Sequence, residues 1–113
     1  KMIALLRKRA DLSREELIDY YEHHHAPLIR RLFPMIADYR RNYVDLEGAF
    51  LFDGAPPVDF HVVTEIVFAS ARDHAAFLER AADPEVMRQI GEDEEHVFDR
   101  SATRMFRVEV GQT

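Results

Sequence analysis

The sequence predicts an α+β subunit in which one antiparallel sheet carries helices on a single face. Four short segments have the apolar or alternating composition of β-strands, and Ser-x-x-Glu/Asp motifs at Ser13 and Ser70 are typical of helix starts. The predicted order is strand, helix, strand, strand, a pair of helices, strand. Two split β-α-β units of this kind form a ferredoxin-like βαββαβ subunit.

The first strand and the first helix are predicted from the N-terminal third of the chain. Met2–Leu6 is a continuous apolar run that is too short for a helix and typical of a strand covered on both faces. The helix follows from Leu12 to Phe33, and Pro27 is expected to kink it or restart it around Ala26. At about 100° per residue, one face of this helix carries four apolar side chains and has His24 and His25 on its flanks. The four are Leu17, Tyr21, Leu28 and Leu32.

The middle of the chain predicts two strands joined by a long loop. Ile36–Leu46 is rich in residues that favour strands, and Glu47–Pro57 holds two glycines and two prolines. The apolar Phe50–Phe52 segment is unusual for a solvated loop, so we expect it to lie on a neighbouring surface or over a cavity. Asp59–Ala69 is the clearest strand, with an apolar face and a mixed face. The apolar face holds Phe60, Val62, Thr64, Ile66 and Phe68, and the mixed face holds His61, Val63, Glu65 and Val67.

The last third predicts two helices and a strand. A helix capped by Ser70 runs to Ala82, and Asp83 followed by a proline is a typical start for another helix, which is expected to end near Phe98. Met105–Val110 alternates as a final strand. Because the helices cover one sheet face only, the apolar side chains on the other face predict a homodimer through that open face.

The length and composition favour one domain, residues 1–113, and exclude several functions. Domains most often have ~100–150 residues, and this chain has 113 with 47% apolar residues. A net charge of −6 is unlike the clustered basic face of a nucleic-acid-binding protein. No apolar run approaches the ~18 residues of a membrane span. The lack of cysteine excludes disulfides and fits a cytoplasmic protein.

Three short motifs resemble those of the EthD-like family. They are YYEHHHAPL at residues 20–28, RRNYV at 40–44 and DEEHVFD at 93–99, and the resemblance extends from about Met2 to Val110. That family belongs to the dimeric α/β-barrel superfamily of ferredoxin-like subunits. The resemblance therefore implies the same subunit fold and two sheets that face each other in a dimeric barrel.

His25 is the first candidate for chemistry. A histidine acts as a general acid or base near neutral pH after modest changes in its surroundings. The alternative is a partly buried histidine that binds a backbone carbonyl freed by Pro27. The family's H-A-P-L signature corresponds to His25-Ala26-Pro27-Leu28 and favours the functional interpretation.

Asp93 and Glu94 are the second candidates. Glu94 falls within the apolar stripe of the last predicted helix, where a carboxylate is costly unless it is paired or protonated. It is therefore either satisfied by a partner across the core or a functional group with a raised pKa. The family's D-E-x-x-F element resembles Asp93, Glu94 and Phe98, although three residues separate Glu94 from Phe98 here.

The remaining candidates are substrate-binding residues: Tyr21, His24, Asn42, Tyr43 and Glu65. Glu65 and Asn42 equally suit contacts across a dimer, and the tyrosines equally suit ordinary packing. A metal site is not expected, because three successive histidines diverge on a helix and no His-x-x-x-His pair is present.

These residues lead to two functional hypotheses. The first is a small cofactor-independent enzyme that acts on an apolar or aromatic metabolite by proton transfer, with His25 as acid or base and Asp93 or Glu94 orienting it. The resemblance implies isomerase, cyclase, dehydratase or decarboxylase chemistry in degradation or secondary metabolism. The second is a non-catalytic binding or accessory protein that uses the same pocket. Haem chemistry, which some barrel relatives perform, is less favoured because no histidine stands out as a proximal ligand.

Overall fold

A computed structural model covering residues 1–113 contains one four-stranded antiparallel sheet with helices on one face. The strands are β1 (Met2–Leu6), β2 (Ile36–Tyr43), β3 (Val62–Phe68) and β4 (Arg104–Arg107). The strand order is β2-β3-β1-β4, and both edges of the sheet, β2 and β4, are free. This is the order of a split β-α-β fold, so the predicted ferredoxin-like subunit is confirmed.

The helices begin at the capping residues that the sequence predicts. Ser13 Oγ accepts a hydrogen bond from the Glu16 N–H, and the Glu16 carboxylate accepts one from the Ser13 N–H, which completes a capping box. Ser70 and Asp83 cap the two later helices in the same way with their side chains. None of the helices is long and apolar enough to span a membrane. They are α1 (Arg14–Tyr20), α2 (Ala26–Leu32), α3 (Ala71–Ala81) and α4 (Pro84–Glu94).

A π-helical turn, Tyr21–His25, joins α1 to α2. Pro27 has no N–H, and its ring excludes the carbonyl four residues earlier, so the turn before it widens and α2 restarts at Ala26. The Ala26 N–H binds the Tyr21 carbonyl, one residue further back than in an α-helix. This extra residue changes the phase of the helix, so Ile29 is buried where the helical pattern predicted Leu28, whereas Leu32 is buried as predicted.

Several elements are shorter than the sequence predicted. Helix α4 ends at Glu94 rather than Phe98, because the following backbone pairs with the chain that leaves β1: the Arg9 N–H binds the Val97 carbonyl at 2.9 Å. Strand β2 ends at Tyr43 because the Asp45 side chain caps a 3-10 turn. Strands β3 and β4 are likewise shorter than the predicted Asp59–Ala69 and Met105–Val110.

The two sheet faces differ as the alternation of β3 predicts. Side chains of β1 and β3 at even positions are buried with the helices in one core of 17 residues. The opposite face of the sheet has no covering element. It exposes apolar side chains in part, among them Ile3, Leu5, Val63 and Val67. Leu5 lies opposite Val63 across β1 and β3, whereas Ile3 lies opposite Glu65.

The capping box predicts the effect of a substitution at Ser13. Ser13→Ala removes the side-chain acceptor of the Glu16 N–H and should lower the free energy of unfolding by about 1 kcal/mol in urea denaturation. Ser13→Thr keeps a hydroxyl and serves as the matched control, with a smaller loss. Equal losses in the two variants would contradict a capping role.

Candidate functional site

A cavity of about 260 Å³ lies between the sheet and the helices. Thirteen of its 17 lining residues are hydrophobic, which is typical of sites for small apolar ligands. Its exposed lining residues, Leu78, Thr103 and Met105, lie between α3 and β4 and form what we call the mouth. The polar lining residues Tyr21 and Thr64 are fully buried at its inner end. The cavity is therefore an apolar pocket with a small polar end.

His25 and Asp93 meet at this polar end. The π turn carries His25 into the core, where it is only 4% exposed, and its Nδ1 lies 2.7 Å from Asp93 Oδ2 at the end of α4. The ring of Phe98 packs edge-on against His25 with ring centroids 5.3 Å apart. Sixty-eight residues separate the two partners in sequence, and the fold brings them together.

The contact with Asp93 determines what the other ring nitrogen of His25 is able to do. A carboxylate accepts hydrogen bonds only, so the Nδ1 atom beside it carries the proton of a neutral imidazole. The lone pair is then on Nε2, and this atom has no hydrogen-bond partner in the protein. The His25 ring lines the cavity. This is the arrangement of a histidine oriented as a general base.

Tyr20 is the second donor to Asp93. Its hydroxyl binds Asp93 Oδ1 at 2.8 Å, so each carboxylate oxygen has its own partner. Burial acts to raise the pKa of Asp93, but the hydrogen bonds from His25 and Tyr20 outweigh it, and the pKa is lowered below its ordinary value. Burial and the adjacent Asp93 charge raise the pKa of Tyr20 to about 12. Asp93 is therefore ionised near neutral pH and Tyr20 is not.

Glu94 has the opposite electrostatic character. Its side chain lines the same cavity as His25, is 17% exposed, and has Arg100 Nε 3.5 Å from Oε1. Burial raises the pKa of Glu94, although its electrostatic interactions with His25 and Arg100 oppose the rise. Two adjacent carboxyl groups thus have pKa values that move in opposite directions, which is how acid and base roles are separated in many active sites.

Three buried hydroxyl groups complete the polar end. Tyr21 Oη lies 2.8 Å from Tyr39 Oη and 2.7 Å from Thr64 Oγ1. Burial raises the pKa of Tyr21 to about 12, so it is a neutral hydrogen-bond donor. The Tyr21 ring packs edge-on against His25 with ring centroids 4.9 Å apart. Hydroxyl donors and the imidazole therefore face one volume.

Tyr43 belongs to a neighbouring cluster that fastens the π turn to β2. Arg41 binds both carboxylate oxygens of Glu22 at 2.9 Å, and the Tyr43 hydroxyl donates to the same carboxylate. The hydrogen bonds from Arg41 lower the pKa of Glu22 to about 2 despite some burial. The Tyr43 ring lies edge-on to Tyr21, with centroids 6.0 Å apart, but does not line the cavity.

The other predicted binding residues lie away from the cavity. His24 is exposed and stacks on Tyr20 with ring centroids 4.7 Å apart. Asn42 and Glu65 lie on the open face of the sheet, where Asn42 Nδ2 donates to Glu65 Oε2 at 2.9 Å and Lys1 pairs with Glu65. The structure thus brings together His25, Asp93, Glu94 and Tyr21, and it separates His24, Asn42 and Glu65 from them.

Sequence reasoning missed Tyr20, Tyr39 and Thr64 as parts of the site. Thr64 is the one polar residue on the apolar face of β3, and that exception is a signal that sequence inspection could have used. The role of Tyr20 has no such signal, because its partner Asp93 lies 73 residues away. No three His, Cys, Asp or Glu side chains come together in a group that would hold a metal ion.

Comparison with known proteins gives a match to one family. The sequence model of the EthD domain matches residues 9–101. No curated protein matches the chain.

Three solved structures resemble the chain at low sequence identity. An ethyl tert-butyl ether D (EthD) family protein from Bacillus halodurans is 17% identical, covers 96% of each chain and has a TM-score of 0.58. A protein from Arabidopsis thaliana is 16% identical, with 99% of this chain and 95% of that chain covered and a TM-score of 0.62. A dimeric protein of unknown function with a ferredoxin-like fold, from Bacteroides fragilis, is 13% identical, with coverages of 93% and 89% and a TM-score of 0.55. At these identities the likeness shows the fold.

The raised pKa of Glu94 predicts a pH-dependent effect on stability. A carboxyl whose pKa is raised by folding contributes stability below its unfolded pKa, about 4.3, and loses it as the pH rises through the folded pKa. Glu94→Gln is neutral at every pH, so it should raise the melting temperature at pH 7 by roughly a few degrees and give no gain near pH 4. Glu95→Gln, at an exposed neighbour, is the control. No gain at pH 7, or a gain that persists near pH 4, would contradict a raised pKa of Glu94 in the folded protein.

Proposed function

The chain belongs to the EthD domain family, and we propose that it is a cofactor-independent enzyme that transfers protons on a small apolar or aromatic metabolite. The observation that supports this proposal most directly is the buried His25–Asp93 pair beside an apolar cavity. Proton transfer of this kind needs only side chains that this chain supplies.

The proposed first step is proton removal by His25. Nε2 takes a proton from an acidic C–H or O–H of the bound metabolite, and the electron pair of that bond stays on the metabolite. The imidazolium that forms lies 2.7 Å from the Asp93 carboxylate, which stabilises its charge and keeps the ring oriented. Tyr20 holds the second oxygen of Asp93 and so fixes the carboxylate.

The negative charge that develops on the metabolite needs donors, and the cavity offers two kinds. Glu94, whose pKa is raised by burial, is the proposed acid that gives a proton to an oxygen of the metabolite, and the buried Tyr21 hydroxyl is able to donate a hydrogen bond to that oxygen. In this scheme His25 is the base and Glu94 is the acid. The apolar walls hold the hydrocarbon part of the metabolite and exclude water.

The type of product depends on where the proton is returned. The intermediate is an enol, and in each outcome its oxygen returns its proton to Glu94 as the carbonyl group forms again. Return of the His25 proton to another carbon gives isomerisation. Departure of a neighbouring hydroxyl group as water, with the proton from His25, gives dehydration. Attack of the enol carbon on a second carbonyl carbon of the metabolite, whose oxygen takes the His25 proton, gives cyclisation. Degradation or secondary metabolism in the cytoplasm is the setting that we propose for such a reaction.

We further propose that the active form is a homodimer of single-domain subunits joined by their open sheet faces. The partly exposed Ile3, Leu5, Val63 and Val67 form an apolar surface that a monomer would leave in water. Asn42 and Glu65 lie on this face, so their expected role is in the subunit contact. The structurally similar Bacteroides fragilis protein is itself dimeric.

The proposal is tested by hydrogen exchange in D₂O with small aryl ketones such as phenylacetone. Ligands are first selected because they shift the ring signals of His25 in NMR spectra. For those that bind, the wild type should accelerate exchange of the C–H next to the carbonyl, and His25→Gln should lower the rate by roughly 10²–10⁴-fold. Asp93→Asn should also lower the rate, because the ring loses its fixed tautomer.

His23→Gln is the matched control for this experiment. His23 is exposed two residues from His25 and binds the backbone of Asp19, so its loss should leave exchange unchanged. Ligands that bind the wild type and His25→Gln equally, without any acceleration of exchange, would favour the alternative function, a binding protein that uses the same cavity.

A further inference from the structure

The connection between β2 and β3, residues 44–61, exposes an unusual amount of apolar surface, and we call it the arm. Phe50 is 85% exposed and Phe52 is 75% exposed, and Leu46 and Leu51 are also exposed. Two phenylalanines with this much surface in water are costly, since burying each is worth ~1.5–3 kcal/mol. The arm therefore has the character of a segment that another surface covers.

The cavity has an uncovered apolar surface at its mouth. Leu78 on α3 is 49% exposed and Met105 on β4 is 48% exposed. The arm of the same chain contacts β4 only where it returns to the sheet, through the Asp59–Arg104 ion pair at 3.0 Å. Its Phe50 and Phe52 stay exposed, and none of its residues lines the cavity. The cavity is thus open to water in a single subunit.

A second copy of the chain brings its arm to this mouth. When two open faces pack about a two-fold axis parallel to the strands, β2 of one subunit lies beside β4 of the other. The two strands are then antiparallel, since β2 and β4 run in opposite directions within one subunit. Pairing them removes both free edges. The arm leaves β2 at Tyr43, at the same end of the sheet as Arg104.

We propose that Phe50 and Phe52 of one subunit close the mouth of the cavity in the other subunit. This inference rests on the proposed homodimer and goes beyond it. The seven residues from Tyr43 to Phe50 reach up to ~23 Å when extended, whereas packed sheets lie ~10 Å apart. The cavity mouth of the facing subunit is therefore within reach of the arm.

The charges of the two surfaces agree with this placement. Glu47 and Asp53 of the arm make no ion pair within the chain, and β4 has the sequence Arg-Met-Phe-Arg. Arg107 of β4 also makes no ion pair, whereas Arg104 pairs with Asp59 at 3.0 Å. Because Asp59 belongs to the arm of the same chain, Arg104 is already paired, and the charges left for a contact between subunits are Glu47 and Asp53 of the arm and Arg107 of β4. The consequence is that each cavity is enclosed only when two subunits are present.

The absence of cysteine in the chain allows a direct cross-linking test. One preparation carries Phe52→Cys and a second carries Met105→Cys. The two are mixed so that their subunits exchange, and the mixture is treated with a short bismaleimide. The expected result is a covalent heterodimer on a denaturing gel. Met87→Cys replaces Met105→Cys in the control, because Met87 is a similarly exposed methionine on α4 that does not line the cavity. The control pair should give little product.

Two other outcomes would overturn the inference. A Phe52→Cys/Met105→Cys double variant that cross-links within one chain would show that the arm closes its own cavity. Equal yields with Met105→Cys and Met87→Cys would show that contact between the chains is unspecific. Sedimentation of the untreated protein separates the two proposals: a dimer without the cross-link overturns the arm contact alone, whereas a monomer overturns the homodimer as well.

Discussion

Asp93 lies in largely buried surroundings, where a carboxylate is stable only if other groups donate hydrogen bonds to it. His25 Nδ1 and the Tyr20 hydroxyl meet this requirement, one at each oxygen. These two hydrogen bonds hold the end of α4 against the π turn. The bond to His25 also fixes which nitrogen of that ring keeps a proton. The structural role of the pair and its proposed chemical role are therefore the same interaction.

The π turn explains how a histidine reaches this position. The wider turn before Pro27 delays the helical phase by one residue, so His25 lies between the buried Tyr21 and Ile29. The same turn presents Glu22 to Arg41 on β2. π turns are frequent at functional sites because they give side chains directions that a regular helix does not. Here the irregularity orients both the imidazole and the Tyr21 hydroxyl toward one cavity.

Patterns among neighbouring residues predict much of the fold, whereas contacts between residues that are distant in the sequence are not predicted. Caps at Ser13, Ser70 and Asp83 depend on three or four neighbouring residues, so sequence reasoning located them well. The alternation in β3 also predicted which sheet face is covered. The residue pattern does not reveal that His25 and Asp93 are in contact, because they are 68 positions apart in the sequence. Asn42 and Glu65, predicted as substrate-binding residues, lie on the open face of the sheet instead of in the cavity.

The two faces of the sheet suggest a division of roles. The covered face holds the cavity and its polar end, and the open face holds an apolar surface bordered by the Lys1–Glu65–Asn42 contacts. Under the proposed dimer the two roles are coupled, because β4 carries Met105 toward the cavity and Phe106 toward the open face. Assembly and the enclosure of ligand then depend on the same edge of the sheet.

The proposed chemistry depends on one property of His25: Asp93 holds it as the Nδ1–H tautomer and leaves Nε2 free on a ring that lines the cavity. Long-range ¹H–¹⁵N NMR of the imidazole rings measures this tautomer, with the His25 signals assigned from their loss in His25→Gln. At a pH where the ring is neutral, we expect a protonated Nδ1 and an unprotonated Nε2, a pattern that Asp93→Asn weakens. A neutral His25 that carries its proton on Nε2 would contradict the proposed role as a base, because its lone pair would then be on Nδ1, beside Asp93, and not available to a ligand.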